Sequence, residues 1–225
     1  MNNSLEIKLN EMRYRTIIFD LDGTLLNTLG DLSSSVNYAL RQYGMPERDQ
    51  ADVRRFLGNG ARRLVELSVP EGTTTAMTEE VLLTFRKHYL AHSLDETAPY
   101  DGIPELLLHL YRMGVTTAIV SNKPDPAVKE LHQHFFSDTV SIAIGETPSI
   151  RRKPAPDMVA ECIRFLNCDP HFCLYVGDSE VDLLTAKNAS LPCCSVSWGF
   201  RDRDFLIDAG ATTIIDHPEE LIELI

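Results

Sequence analysis

The chain has 225 residues, 44 % of them hydrophobic and 24 % charged, globular values at a length that buries a sizeable core. Its net charge of −12 argues against a nucleic-acid binder, whose affinity would rest on phosphate contacts. No apolar run approaches the roughly 18 residues that span a bilayer. Met1–Glu11 is polar and lacks a signal-peptide block, so a cytoplasmic protein with no membrane partner is expected.

Met1–Glu11 reads as an unstructured lead-in, with the folded part starting near Met12. Thr16–Phe19 is a β-branched and aromatic run suited to a strand buried on both faces. It ends in Asp20-Leu21-Asp22-Gly23-Thr24, two carboxylates separated by one apolar residue. Carboxylates that close repel unless a cation or a shared proton compensates. Asp-x-Asp-Gly by itself equally suits an ordinary turn.

After Leu26 the pattern turns helical, with Leu29, Leu32, Val36, Ala39, Leu40 and Tyr43 at three- and four-residue spacing before Gly44 and Pro46. Further helices are expected over 50–57, from Gly58-Asn59-Gly60 to near Pro70, and over 79–92. No convincing strand occurs between Asn27 and about Ala98, so this stretch is an all-helical block.

Strands and helices alternate beyond Pro99-Tyr100-Asp101-Gly102. Expected strands cover 115–120, 139–144, 172–176, 193–197 and 212–215. Expected helices cover 103–113, 125–136, a segment opened by Lys153-Pro154-Ala155-Pro156, one after Asp182, 202–209, and a last one from Pro218. This alternation predicts βαβ units, hence an α/β protein with a doubly wound, Rossmann-like parallel sheet and an inserted all-helical cap. The domain reading is a core of residues 1–26 and 99–225 with a cap of residues 27–98.

The cysteines, Cys162, Cys168, Cys173, Cys193 and Cys194, show no C-x-x-C spacing and read as reduced thiols on small buried residues. His88 and His92 lie four apart on a helix, a spacing that could hold a metal. No third ligand is near in sequence, so a plain surface face is the reading.

Polar groups gather where strands end, the edge at which open parallel sheets do chemistry. Ser121-Asn122-Lys123 follows one strand, Lys153 precedes a helix, and Asp178 and Asp182 frame the turn after another strand. Singly, each suits a cap or a solvated side chain. In order after Asp20-x-Asp22, they resemble the haloacid dehalogenase-like phosphatases from about Thr16 onward.

That resemblance implies Asp20 as nucleophile, forming an aspartyl-phosphate, and Asp22 as acid and then base. It implies Ser121 and Lys153 as holders of the phosphoryl oxygens. Mg²⁺ would be held by Asp20, the Asp22 carbonyl and Asp178, with Asp182 orienting a bound water. Glu180 is given no role. The strings Gly58-Asn59-Gly60-Ala61, Ser121-Asn122-Lys123-Pro124 and Trp198-Gly199-Phe200-Arg201 resemble phosphoglycolate phosphatases. They suggest Gly58, Asn59, Gly60, Arg62 and Asn122 as substrate contacts, within a basic cluster that also includes Arg54, Arg55 and Arg63. Asn27 departs from many relatives, which carry Asp at that hinge position.

The expected function is a Mg²⁺-dependent phosphomonoester hydrolase acting on phosphoglycolate or a similar small phosphate, as a monomer or homodimer. The alternatives are a β-phosphoglucomutase-like phosphomutase, a pyrophosphatase of the same superfamily, or a receiver domain phosphorylated on Asp without turnover.

Overall fold

Strand β1 (Thr16–Phe19) has all four residues buried in the computed structural model, which describes residues 12–225. The lead-in expected over Met1–Glu11 lies outside the described residues. Two compact units emerge, one running to Leu25 and resuming over Pro99–Ile225, the other spanning Leu26–Ala98.

The second unit opens with β2 (Leu26–Asn27), which pairs with β3 (Ala98–Pro99) in a two-stranded sheet. Strands of two residues carry no periodicity, which is why the sequence read this block as strand-free. Helix α1 (Leu29–Gln42) buries Leu32, Val36, Ala39 and Leu40. Helix α2 (Gln50–Phe56) is capped by Asp49, whose side chain accepts from the Asp52 amide at 2.6 Å. Helix α3 (Gly60–Ser68) follows, then α4 (Thr75–His92). The latter starts four residues before the expected Glu79 because Thr74 caps it, accepting from the Met77 amide. Asp31, almost fully buried, accepts from the Glu96 and Thr97 amides at 2.9 Å and the Thr97 hydroxyl at 2.7 Å, tying the two ends of this unit together.

In the first unit, α5 (Ile103–Met113) lies between Gly102 and Gly114, both left-handed, as the glycine punctuation predicts. Then come β4 (Thr116–Pro124), α6 (Asp125–Phe135), β5 (Ile142–Glu146) and α7 (Asp157–Leu166). The series closes with β6 (Cys173–Gly177), α8 (Glu180–Asn188), β7 (Cys193–Val196), α9 (Arg203–Asp208) and β8 (Ile214–Ile215).

Three boundaries depart from expectation. β4 continues past Val120, and its register against β5 shifts between Val120 and Pro124. β5 starts later than Thr139 because the Thr139 and Val140 amides turn back onto the Phe136 carbonyl, at 3.1 and 2.9 Å. The C-terminal segment Pro218–Leu224 is a 3₁₀ helix rather than an α-helix. Over seven residues the unpaired terminal groups of an α-helix would outnumber its internal bonds.

The six strands of the main sheet run in the order β5-β4-β1-β6-β7-β8, every adjacent pair parallel. From β1 the chain winds outward through β4 and β5, then returns to β1's other side with β6. That reversal is the switch point at which such sheets bind ligands. Register sharpens it, since Phe19 lies opposite both Ile119 and Val176. The residues just beyond those three positions are therefore brought side by side.

Candidate active site

Asp20 is the first residue past β1, and its amide donates to the Val176 carbonyl at 2.8 Å. The turn after it closes with the Leu25 amide on the Leu21 carbonyl at 3.0 Å. Gly23 has φ of 87°, and a β-carbon there would lie 2.3 Å from Asp178 Oδ2. Only glycine satisfies both the backbone and the space.

Lys153 is the hub of the cluster. Its buried ammonium reaches Asp20 Oδ1 at 2.7 Å, Asp182 Oδ1 at 2.8 Å and the Tyr175 hydroxyl at 3.0 Å. A lysine has three N–H donors, and here each meets an oxygen. Asp182 Oδ1 also accepts from the Tyr175 hydroxyl at 3.1 Å. Its Oδ2 accepts from the Ser179 amide at 3.1 Å and the Ser179 hydroxyl at 2.6 Å, caps of α8.

Asp178 is held from elsewhere. The Phe200 amide donates to its Oδ2 at 2.6 Å, and the Thr24 hydroxyl lies 3.5 Å from its Oδ1. Trp198 Nε1 donates to the Thr24 carbonyl at 3.0 Å, fastening the loop after β7 to the loop after β1. A β-carbon on Gly199 would sit 2.5 Å from Asp178 Oδ2.

On the β4 side, Ser121 Oγ accepts from the Lys123 amide at 3.2 Å, and Asn122 Nδ2 donates to the Lys153 carbonyl at 3.1 Å. Lys123, itself buried, contacts both Asp22 oxygens, at 2.8 and 3.0 Å. Asp20, Asp22, Ser121, Asn122, Lys153, Asp178 and Asp182 thus belong to one connected group.

The sequence reading missed two members. Ser121 and Lys123 stand two apart on a strand and so share a face, a signal the period of two supplied. Tyr175 stands out as a hydroxyl in an otherwise apolar strand, and a buried tyrosine hydroxyl seeks a partner. Glu180, given no role, pairs with Arg201 at 2.9 Å.

Gly58, Asn59, Gly60 and Arg62 lie in the helical unit. Asn59 is the residue before α3, and Arg62 holds Glu79 through both guanidinium arms, one of them at 3.0 Å. Arg55 pairs with Asp52 and Arg63 with Glu66, so these members of the basic cluster have acids beside them.

Burial pushes the Asp20 carboxyl up from 3.8 to about 7, against the opposing pull of Lys153. Burial, then Asp182 and Asp20, pushes Asp178 well above the usual carboxylate range. Burial also works against the charge on Lys153, but Asp182, Asp20 and Tyr175 outweigh it and hold the ammonium well above an ordinary lysine.

One carboxylate oxygen each from Asp20, Asp178 and Asp182 lies within 4.8 Å of the others. With Asp22, four acids face the two ammonium groups of Lys153 and Lys123. A divalent cation would offset the remaining charge, and an oxygen-only donor set suits Mg²⁺. The residues fit the ion that the sequence resemblance implies.

Residues 17–196 match the family model described as haloacid dehalogenase-like hydrolase. A phosphoglycolate phosphatase of Mesorhizobium japonicum is 35 % identical over 196 residues, covering 83 % of this chain and 84 % of its own. An N-acetylmuramic acid 6-phosphate phosphatase of Pseudomonas aeruginosa is 29 % identical over 219 residues, covering 96 % of this chain and 97 % of its own. Among solved structures, a protein of Lactobacillus delbrueckii subsp. bulgaricus, provisionally assigned as a phosphoglycolate phosphatase, superposes with a TM-score of 0.90 at 38 % identity. It is matched over 94 % of this chain and 98 % of its own. Among the described residues no helix is long and apolar enough to cross a membrane.

Proposed function

The chain belongs to the haloacid dehalogenase-like hydrolases and is a phosphatase, and from that premise we propose that it hydrolyses a small phosphate monoester through an aspartyl-phosphate on Asp20. The observation that carries this reading is Lys153, bridging Asp20 and Asp182 beside Asp178 at the sheet's switch point.

An Asp20 carboxylate oxygen bonds to phosphorus while the ester oxygen departs with a proton from Asp22. Asp22 then takes a proton from water, which attacks the phosphoryl group, frees inorganic phosphate and returns Asp20. Mg²⁺, held by Asp20, Asp178 and the Asp22 carbonyl with Asp182 behind it, would offset the negative charge of the carboxylates and phosphoryl oxygens. Ser121 and Lys153 hold those oxygens, Lys153 by exchanging one of its present partners. Lys123 donates to both Asp22 oxygens and so fixes where that carboxyl group stands. The acid half of the cycle needs Asp22 protonated and released from that contact.

Phosphoglycolate is the favoured substrate, with Asn122, Gly58, Asn59, Gly60 and Arg62 as substrate contacts. For Arg62 that means leaving Glu79. The second relative's name gives specific cause to weigh a sugar phosphate as well. The test is a panel of phosphoglycolate, N-acetylmuramic acid 6-phosphate, a hexose phosphate and pyrophosphate, assayed for phosphate release with Mg²⁺. Highest kcat/KM on phosphoglycolate supports the reading, and preference for the sugar phosphate replaces it. Release from none of them, with or without a sugar bisphosphate activator, rejects the hydrolase mechanism for small esters.

A further inference from the structure

Tyr175 carries a hydroxyl in the middle of β6 and is wholly buried. It stands opposite Ile18 on one side and Cys193 on the other, and it packs with Ile18, Val120 and Met158 in one apolar cluster. Close packing of that kind fixes the ring, so the hydroxyl has one place to stand. That place is among the charges of the acidic cluster.

An ammonium only donates and an ionised carboxylate only accepts. The Tyr175 hydroxyl therefore accepts from Lys153 Nζ at 3.0 Å and donates to Asp182 Oδ1 at 3.1 Å. Lys153 directs its other two N–H groups to Asp20 at 2.7 Å and Asp182 at 2.8 Å. All three donors are occupied before any phosphate arrives. A Lys153 that holds a phosphoryl oxygen must release one of them.

The three bonds differ in kind. Two join opposite charges, whereas the third joins the ammonium to a neutral oxygen and is the longest. Releasing a carboxylate would leave a buried anion without its cation, a heavier cost than leaving a neutral acceptor unmet. Releasing Tyr175 strands no donor, because its O–H stays on Asp182 and only an oxygen lone pair loses its partner.

We propose that Tyr175 is a positioning residue whose hydroxyl holds the third N–H of Lys153 at rest and yields it to a phosphoryl oxygen, while staying bonded to Asp182. It acts through those two residues and transfers no proton. Asp182 keeps its place as the ammonium turns, since Ser179 holds its other oxygen through both amide and hydroxyl. The inference rests on the reading that Lys153 holds the phosphoryl oxygens.

The test uses the full chain in saturating Mg²⁺ with inorganic phosphate as the probe. Tyr175→Phe keeps the ring and removes only the hydroxyl. Its Lys153 takes a phosphate oxygen without giving up a partner, so calorimetry should find phosphate bound about 2–10-fold more tightly. Asp182 loses a donor, so kcat on an aryl phosphate should fall while KM falls with it. A ring needed only for packing would change stability and leave phosphate affinity alone. In wild type isotope-labelled at the Cζ of its seven tyrosines, saturating phosphate should shift one resonance by nuclear magnetic resonance, a measurement that needs no variant to fold. Failure of wild type to bind phosphate overturns the reading of Lys153 and the inference with it. Phosphate binding that shifts no tyrosine resonance, or equal or weaker binding by folded Tyr175→Phe, overturns the inference alone.

Discussion

Stability without metal should fall as pH rises, and Asp20 should be a principal cause. Its carboxyl has a folded-state pKa raised from 3.8 to about 7, burial being the largest cause. A raised folded value means that the native state binds the proton more tightly than the unfolded chain. The contribution is therefore whole below pH 3.8 and is lost as pH climbs through about 7. At about 1.4 kcal/mol per pH unit, the loss is at most about 4 kcal/mol. Asp178, raised in the same direction, adds to it. The assay is urea unfolding between pH 5 and pH 8, in chelator and in Mg²⁺, for wild type and Asp20→Asn. In chelator the wild type should lose several kcal/mol across the window, and the amide variant distinctly less. Mg²⁺ should restore the wild type most at the alkaline end, where protons no longer compete for the carboxylates. Identical pH slopes for wild type and Asp20→Asn in chelator would refute the reasoning.

Asp22→Asn should slow turnover by about 10²–10⁴-fold. Single-turnover rates should suffer more for alkyl than for aryl phosphates, whose leaving groups need little protonation, and equal losses would remove its acid role. Lys123→Met should leave the Asp22 carboxylate without its two charge-assisted bonds and lower kcat/KM about 10–100-fold, the kinetic equivalent of about 1.5–3 kcal/mol, in steady-state assays. Chelation should inactivate the enzyme and Mg²⁺ restore it, with Ca²⁺ a poor substitute because it takes more ligands at longer distances. Phosphate release in a Mg²⁺ and Ca²⁺ series measures this.

Much of this architecture was legible because local and tertiary signals agreed. Thr16–Phe19 is β-branched and aromatic throughout, and it is the central strand, buried on both faces. Gly102 and Gly114 marked the ends of α5 because their left-handed conformations suit little else. Boundaries were lost where one or two hydrogen bonds decided them, as with Thr74 before α4 and the Phe136 carbonyl before β5. The polar groups of the site could be read by type and order. Their pairings could not, since Lys123 and Asp22 are 101 residues apart and meet only through sheet register. Asp182 was legible as the second acid of the turn after β6, with a water-orienting role implied by the resemblance. That its two oxygens are shared among Lys153, Tyr175 and Ser179 follows only from the folded loop.

The most direct test of the central claim is to look for the phosphoryl group on Asp20. Asp22→Asn should slow hydrolysis of the intermediate enough for it to accumulate with an aryl phosphate and Mg²⁺. After acid quench and proteolysis, mass spectrometry should find one phosphoryl group on the peptide containing Asp20, and none in the Asp20→Asn protein. Phosphate turnover by Asp20→Asn, or a phosphoryl group on any other residue, would contradict the account.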